Sequence, residues 1–305
     1  MIMAYSRLYH TLLSTKFFLD LRQVETLSVL VEKFLHHDVE DFSAQPYSAE
    51  HPIEVKMMDA ALAQSVEGGQ GDAQLVAVVP LIGTMIKYGT WCNYGADEIA
   101  EAIDEAAADA RVCGIVLEVD SGGGSVDAIA PLIGAIQRAQ AKGKPVVASC
   151  DLCASAAYYV ACHCDEVMAT NSISSEFGSI GVMMSFADYS KYYESEGIKV
   201  HTIYSNLSNY KNQPFELARE GKYDLIKTEQ LDPLAQKFQE AVRERRAGKL
   251  DEKVEGILAG RVFFAEESLA NGLIDSIGSL EKAVARCREL VAEANINDFI
   301  HSSNL

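Results

Sequence analysis

The clearest candidate for a reactive side chain in this sequence is a serine at the junction between an apolar run and a helical pattern. Pro145–Cys150 is a short apolar run, and the small residues after Ser155 are typical of the first turn of a helix. The first amides of a helix have no intrahelical partner. A hydroxyl there can attack a carbonyl carbon while a neighbouring amide binds the developing oxyanion. Ser155 is therefore a candidate nucleophile, with helix capping as the ordinary alternative.

Two other segments can complete such a site. The apolar run Gly114–Val119 ends in the glycine-rich segment Asp120–Val126. Glycines let the backbone approach a substrate closely and direct N–H groups into a cleft. A predicted strand, Val200–Tyr204, leads into a polar loop that carries Lys211. The sequence thus places a serine, a glycine turn and a lysine after three predicted strands.

A nucleophilic serine needs a base, and the sequence offers His163, His201 and Lys211. A histidine base is normally oriented by a carboxylate, and neither histidine has an evident one. Lysine acts as a base when it is neutral, and the loop around Lys211 has no carboxylate before Glu216 to favour the charged form. An ordinary surface lysine remains the alternative for this residue.

Five features in the expected order carry a resemblance to a known family: Asp120–Gly124, Ala154–Tyr159, Lys211, Gly260–Phe263 and Gly272–Asp275. They resemble the glycine turn, the nucleophile run, the catalytic lysine and two later motifs of Ser-Lys peptidases of the signal peptide peptidase A (protease IV) type. This family includes phage prohead proteases and lies within the Clp protease/crotonase superfamily. The resemblance covers about residues 72–290.

The resemblance implies a peptidase with an α/β, Clp protease/crotonase-like core of repeated ββα and βαβ units. Ser155 would be the nucleophile and Lys211 its base, and the N–H groups of Gly123 or Gly124 and of Ala156 would form the oxyanion hole. Peptide bonds would be hydrolysed through an acyl-enzyme, with no metal and no cofactor. The family assembles into rings or domes, so a homo-oligomer is expected, with the lysine supplied within or between subunits.

The phage branch implies a role in capsid maturation, with a polypeptide substrate and capsid, portal or scaffold proteins as partners. Two other functions stay open. One is a catalytically inactive capsid-assembly or scaffold component, and the other is a crotonase-like acyl-CoA enzyme, which also uses two backbone amides as an oxyanion hole. Alanine substitution of Ser155 and Lys211 separates the peptidase from the acyl-CoA enzyme, which needs neither residue.

Composition excludes several classes of partner. The net charge of −18 argues against non-specific nucleic-acid binding, which needs clustered Lys and Arg. No apolar stretch reaches the roughly 18 residues of a membrane span. The first residues do not have the pattern of a secretory signal, so a cytoplasmic location is expected, which is the host cytoplasm or the prohead for a phage protein.

The seven cysteines fit reduced, mostly buried thiols. Five residues invite a zinc interpretation: Cys150, Cys153, Cys162, His163 and Cys164. They lie in apolar strand and helix patterns rather than on turns, so a closed tetrahedral site is not expected.

The chain divides into residues 1–71 as an N-terminal helical leader and linker, 72–295 as the peptidase core and 296–305 as a polar tail. Helical spacing predicts two amphipathic helices within residues 4–35, and the linker contains one short predicted helix at Val55–Leu62. If the chain is a protease, residues 36–71 are where self-cleavage would be sought, and a plain linker is the more common alternative. In the core, alternating strands and helices predict parallel βαβ units. Further predictions are a strand at Ile180–Met184, a helix at Asp188–Glu196 with packing tyrosines, and a long helix over residues 223–248 with a solvated basic end.

Overall fold

The structure is a computed structural model that describes residues 17–19, 52–59, 75–90, 93–186 and 188–303. The strands are β1 Phe17–Leu19, β2 Lys56–Asp59, β3 Leu75–Ile82, β4 Val112–Ser121, β5 Gly123–Ser125, β6 Val146–Ala154, β7 Glu166–Ala169, β8 Glu176–Gly178, β9 Val262–Phe264 and β10 Ser276–Ile277.

The helices are α1 Ala96–Ala108, α2 Ile129–Ala141, α3 Ala156–Ala161, α4 Ser190–Ser195, α5 Gln213–Arg219, α6 Asp224–Ile226, α7 Asp232–Arg245, α8 Ala265–Ala270 and α9 Leu280–Ser303. A 3-10 turn at Val126–Ala128 precedes α2, and a π-helical turn at Lys227–Leu231 joins α6 to α7.

A mostly parallel sheet organises the described chain. Its strand order is β10-β7-β6-β4-β3-β2, and the second half of β6 also pairs with β8, which pairs with β9. The central pairs β3–β4, β4–β6 and β6–β7 are parallel, whereas β2 and β9 join antiparallel. The predicted α/β class with a parallel sheet is confirmed.

Helices cover both faces of this sheet, which explains why its central strands are apolar throughout. On one face, Ala77 and Val79 belong to the same buried cluster as Ile103 of α1 and Leu132 of α2. The alternate residues point to the other face, where a second cluster includes Cys287 of α9. Two-sided burial fixes the register of the strands, and through it the positions of the loops at their carboxyl ends.

Two predicted strands are absent from the described chain. Val200–Tyr204 is loop, and Ile203 is 90% exposed. Ile180–Met184 contributes one isolated bridge residue, Met183, rather than a strand. In both segments the residues favour a strand, but among the described residues no neighbouring strand pairs with them.

The N-terminal predictions are partly wrong and partly lie outside the described residues. Phe17–Leu19, placed in a predicted helix, forms β1, and Lys56–Asp59, placed in another, forms β2. The remainder of the helical leader and most of the linker are outside the described residues. At the other end, α9 continues past the predicted boundary at Ala294 to Ser303.

Candidate active site

Ser155 lies between the last residue of β6 and the first residue of α3, as the sequence predicts. Its backbone has φ +55° and ψ −120°, a conformation that costs energy for any residue except glycine. Its N–H donates to the Gly178 carbonyl at 2.8 Å. The side chain does not cap α3, although Ser155 occupies the N-cap position. The capping interpretation is therefore wrong, and among the described residues the hydroxyl has no hydrogen-bond partner.

The strand before Ser155 changes partner just upstream of it. Val147–Cys150 pairs with β7, whereas Leu152–Ala154 pairs with β8. Asp151 lies at the division, where its Oδ1 accepts hydrogen bonds from four side chains, those of Thr170, Asn171, Ser174 and Ser175. This network satisfies the carboxylate where the two strands separate.

The glycine turn after β4 lies beside the end of β6, because Ser121 pairs with Cys153. The Ser121 hydroxyl donates to the Gly83 carbonyl at 2.6 Å and accepts the Gly123 N–H at 3.2 Å. Gly123 has φ +96°, which only glycine adopts readily. The buried Ser121 hydroxyl thus holds the turn in place, and it is also the hydrogen-bond partner of the Gly123 N–H.

Gly124 is packed directly against the backbone of Met85. A Cβ at position 124 would lie 2.0 Å from the Met85 carbonyl oxygen, so only glycine fits. The Met85 N–H donates to Gly123, and the Ser125 N–H donates to Met85. Because the N–H and C=O of each peptide plane point in opposite directions, both the N–H and the C=O of Gly124 point away from Met85. The Gly124 amide is therefore directed to the other edge of β5.

Helix α3 packs against β5, which brings the residue after the serine to the glycine turn. Ala156 is the first residue of α3 and is fully buried. Its helical conformation suits alanine, so the site has no need of a glycine there.

The motif Gly260–Phe263 supports the nucleophile through β8. Its last two residues open β9, which pairs with β8, and the Arg261 carbonyl accepts the Ser179 N–H at 2.9 Å. A Cβ at Gly178 would lie 2.5 Å from the same carbonyl. The motif therefore positions the Gly178 carbonyl that binds the Ser155 N–H.

The motif Gly272–Asp275 contacts the nucleophile helix α3 and the sheet. Tyr158 of α3 is fully buried, and its hydroxyl donates to the Leu273 carbonyl at 2.7 Å. Burial raises the pKa of Tyr158 well above its ordinary value, so it stays a hydrogen-bond donor. Asp275 accepts the Val167 N–H of β7 at 2.8 Å, which attaches the motif to the sheet.

Asp275 is also one end of a buried ion pair that the sequence did not reveal. Arg246 is 3% exposed, and its Nη1 lies 2.7 Å from Asp275 Oδ2, while the exposed Lys249 lies 2.6 Å from Oδ1. Burial alone would raise the pKa of Asp275, but the hydrogen bonds from Arg246, Lys249 and the Val167 N–H together lower it. The prediction of a solvated basic helix end is wrong for Arg246.

Lys211 lies apart from this arrangement. It is exposed in the loop before α5, where its N–H donates to the Ser208 carbonyl at 3.1 Å. The next residue, Asn212, has φ +61° and begins α5. Among the described residues, no hydrogen bond joins Lys211 to Ser155 and no carboxylate lies within ion-pair distance of it. Within one chain, the two predicted catalytic side chains are therefore not hydrogen-bonded to each other.

The two histidines have other surroundings. His163 Nδ1 lies 2.8 Å from the Tyr159 carbonyl and the ring stacks on Tyr159, while burial lowers the pKa of His163. His201 is exposed. Within the described part of the chain, neither histidine is hydrogen-bonded to Ser155, and no group of three or more His, Cys, Asp or Glu residues has the arrangement of a metal site.

The segment that carries Lys211 exposes a large set of apolar side chains. We call it the exposed apolar surface: Phe186, Tyr189, Tyr192, Tyr193, Ile198, Val200, Ile203, Leu207, Tyr210, Phe215 and Tyr223. The prediction that Tyr189, Tyr192 and Tyr193 are packing residues is wrong, because all three are exposed. Sequence reasoning also missed Ser121, Met85 and Gly178, whose roles depend on contacts distant in sequence.

The chain is similar in sequence to known proteins. Residues 138–294 match Peptidase family S49. The chain is 30% identical over 211 residues to Protease 4 of Salmonella typhi, covering 65% of this chain and 31% of that protein. It is 30% identical over 217 residues to the head-tail preconnector protein GP5 of Enterobacteria phage P21, covering 69% and 42%.

A third relative is the capsid assembly protease C of Escherichia phage lambda, 26% identical over 222 residues and covering 70% of this chain and 49% of that protein. The chain thus spans less than half the length of each of these relatives. No helix in the described ranges combines the length and apolarity of a membrane span. The family match covers half of the chain, from the helix before β6 to α9. The chain belongs to peptidase family S49.

Proposed function

We propose that this chain is a serine endopeptidase in which Ser155 attacks the peptide carbonyl and Lys211 acts as the base. The observation that carries the proposal is the state of Ser155, whose strained backbone and unused hydroxyl lie beside the glycine turn. Backbone strain at a serine that makes no structural hydrogen bond is typical of catalytic positions. A serine kept only for capping would use its oxygen and avoid positive φ.

The oxyanion hole is formed by the N–H groups of Gly124 and Ala156. Gly123, the other predicted donor, is less suitable because its N–H is bound by Ser121. The Gly124 N–H points away from Met85 to the other edge of β5, and Ala156 follows the nucleophile directly. Two amides that converge on one oxygen stabilise the negative charge that develops on it during attack.

The reaction proceeds through an acyl-enzyme. Neutral Lys211 takes the Oγ proton as the bond from Oγ to the carbonyl carbon forms. The resulting ammonium returns the proton to the leaving amine as the C–N bond breaks. Water then attacks the ester with the same lysine as base, which releases the acid and restores Ser155.

Lys211 reaches the serine of a neighbouring subunit in a homo-oligomer. The lysine belongs to the segment with the exposed apolar surface, and a high density of exposed apolar side chains is typical of an interface. Covering this surface would also remove Lys211 from water, which favours the neutral amine that a base requires. This arrangement accounts for the absence of contact with Ser155 inside one chain.

The substrate is a polypeptide, and a role in phage capsid maturation is proposed from two relatives, the capsid assembly protease of phage lambda and the head-tail preconnector protein of phage P21. Capsid, portal or scaffold proteins would then be the partners, and the prohead or the host cytoplasm the location. An inactive capsid-assembly component is the second candidate function, because Ser155 and Lys211 are not in contact within one chain.

Degradation of casein by the purified full chain tests the proposal. Ser155→Ala should lower the rate by at least about 10³-fold, because the nucleophile is removed. Ser149→Ala is the matched control, since Ser149 is a buried serine of β6, the strand that ends just before Ser155, and among the described residues its hydroxyl has no hydrogen-bond partner. Equal rates for Ser155→Ala and the unmodified chain would refute the mechanism, and inactivity of the unmodified chain against casein and capsid proteins would favour the inactive component.

A further inference from the structure

The N-terminal strand of the chain lies on the glycine turn of the candidate active site. β1 pairs antiparallel with β5, with Phe17 opposite Ser125, Phe18 opposite Gly124 and Leu19 opposite Gly123. Helix α3, which begins after Ser155, packs against both β5 and β1. Three consecutive residues from the N-terminal region thus lie beside the turn and against the nucleophile helix.

The backbone geometry of β5 identifies the pair that exchanges hydrogen bonds with β1. The Gly123 carbonyl and the Ser125 N–H are both engaged by Met85. The N–H and C=O of Gly124 point to the opposite edge, and Phe18 is the residue paired there. In antiparallel sheets such directly opposed residues alternate between hydrogen-bonded and non-hydrogen-bonded pairs, so Phe18 and Gly124 form the hydrogen-bonded pair. The Phe18 carbonyl is therefore the acceptor for the Gly124 N–H.

This edge is where an extended peptide would bind as an added strand. The Gly124 N–H cannot donate to a substrate carbonyl while it donates to the Phe18 carbonyl. We infer that Phe17–Leu19 occupies the substrate strand position of its own active site and must leave before a substrate binds. The inference rests on the proposed function, and it also gives the ligand class of the edge, which is an extended apolar peptide, since the occupant reads Phe-Phe-Leu.

A tethered occupant competes strongly with free substrate. Because it is attached to the same chain, its effective concentration is on the order of millimolar. The apparent affinity for an external peptide is lowered by the fraction of molecules in which the edge is open. Weakening β1 should therefore raise activity on short apolar peptides without any change in the catalytic residues.

The test uses the full chain with two substitutions at one position. Phe18→Pro removes the N–H that donates to Gly124 and breaks the strand, whereas Phe18→Ala keeps the backbone pairing. In a Ser155→Ala background labelled with ¹⁵N-glycine, Phe18→Pro should make the Gly124 amide exchange with solvent about tenfold faster. Phe18→Ala should leave it unchanged, and Gly83, whose N–H donates to the Asp120 carbonyl, should be unaffected in both.

With Ser155 present, Phe18→Pro should raise hydrolysis of a short apolar fluorogenic peptide about tenfold over Phe18→Ala. The inference would be overturned if the Gly124 amide exchanged at the same rate in all variants. It would also be overturned if the amide exchanged faster in Phe18→Pro while the rate of peptide hydrolysis by an active chain did not rise. If no variant hydrolyses any peptide, the proposed function fails and binding decides the inference instead. A labelled peptide with the sequence of residues 15–22 should then bind the Phe18→Pro chain more tightly than the parent, and equal binding would overturn it.

Discussion

The two residues of the proposed catalytic pair, Ser155 and Lys211, have opposite surroundings. Ser155 is 1% exposed and is fixed by the sheet, by β8 and by a buried tyrosine of its own helix. Lys211 lies in an exposed loop, within a segment of short helices whose apolar side chains face solvent. A buried nucleophile and an exposed base are what we expect if a second subunit completes the proposed site.

The strongest test of this comparison is complementation between subunits. Lys211→Ala should lower casein hydrolysis by roughly 10²–10⁴-fold, because the general base is lost. A mixture of Lys211→Ala and Ser155→Ala chains should recover part of the activity, since a mixed interface pairs an intact serine with an intact lysine.

Lys199→Ala is the control for Lys211, because Lys199 is an exposed lysine of the same segment. Its activity should equal that of the unmodified chain. Two inactive single variants that stay inactive after mixing would place the dyad within one subunit.

The buried support of Ser155 should be sensitive to loss of one charge. Asp275→Ala leaves Arg246 buried without its partner, which is expected to lower the free energy of unfolding by about 3–5 kcal/mol. Glu252→Ala breaks the exposed pair with Arg243 and should cost about 1 kcal/mol or less. Urea unfolding measures both, and equal losses would contradict the buried role of Asp275.

The same carboxylate should make the fold sensitive to acid. Because the pKa of Asp275 is lower in the folded chain than its ordinary value, ionised Asp275 stabilises the fold above the unfolded pKa of about 3.9. That contribution is lost as the pH falls through the folded pKa. In Asp275→Asn, the free energy of unfolding should therefore fall less steeply below pH 4 than in the unmodified chain.

A smaller effect is expected from relief of strain at the nucleophile. Ser155→Gly removes the cost of positive φ and should raise the free energy of unfolding by about 1 kcal/mol while activity is lost. Ser155→Ala keeps the strain and should leave stability unchanged. Thermal unfolding of the two variants separates these effects, and equal stability would mean that the backbone at Ser155 is not strained.

The smallest effect on the single chain is expected at the exposed apolar surface. Leu207 is 95% exposed, so Leu207→Ser combined with Ile203→Ser should change the stability of the isolated chain by no more than about 0.5 kcal/mol. The same pair of substitutions should shift sedimentation from oligomer toward monomer and lower activity. Retention of the oligomer with full activity would exclude this surface as the interface.

The sequence predicted the parts of the fold whose pattern is local. β3, β4, β6, α1 and α2 have long apolar runs or clear helical spacing. Each lies within a few residues of the range that the sequence predicts, which is 74–82, 112–119, 146–150, 96–108 and 126–141 in that order. The strand-to-helix junction at Ser155 was found for the same reason. The assigned roles of Ser155, Lys211, Gly123, Gly124 and Ala156 stay predictions.

The unpredicted parts depend on partners distant in the chain. β1, β5, β8 and β9 have three residues each, which is too short for any periodicity to identify. Val200–Tyr204 shows the converse, because its strand propensity meets no partner. The sequence did not reveal that Arg246 is buried. Its partner Asp275 belongs to the motif Gly272–Asp275, which was interpreted only as a family resemblance.

The bond from Tyr158 to Leu273 also has a consequence for biosynthesis. The two residues are 115 positions apart, and the supports from Gly178, Arg261 and Asp275 also follow Ser155 in the chain. A nascent chain on the ribosome therefore exposes Ser155 long before the contacts that shape it have been translated. We therefore expect the surroundings of Ser155 to form only after the motif Gly272–Asp275 has been synthesised.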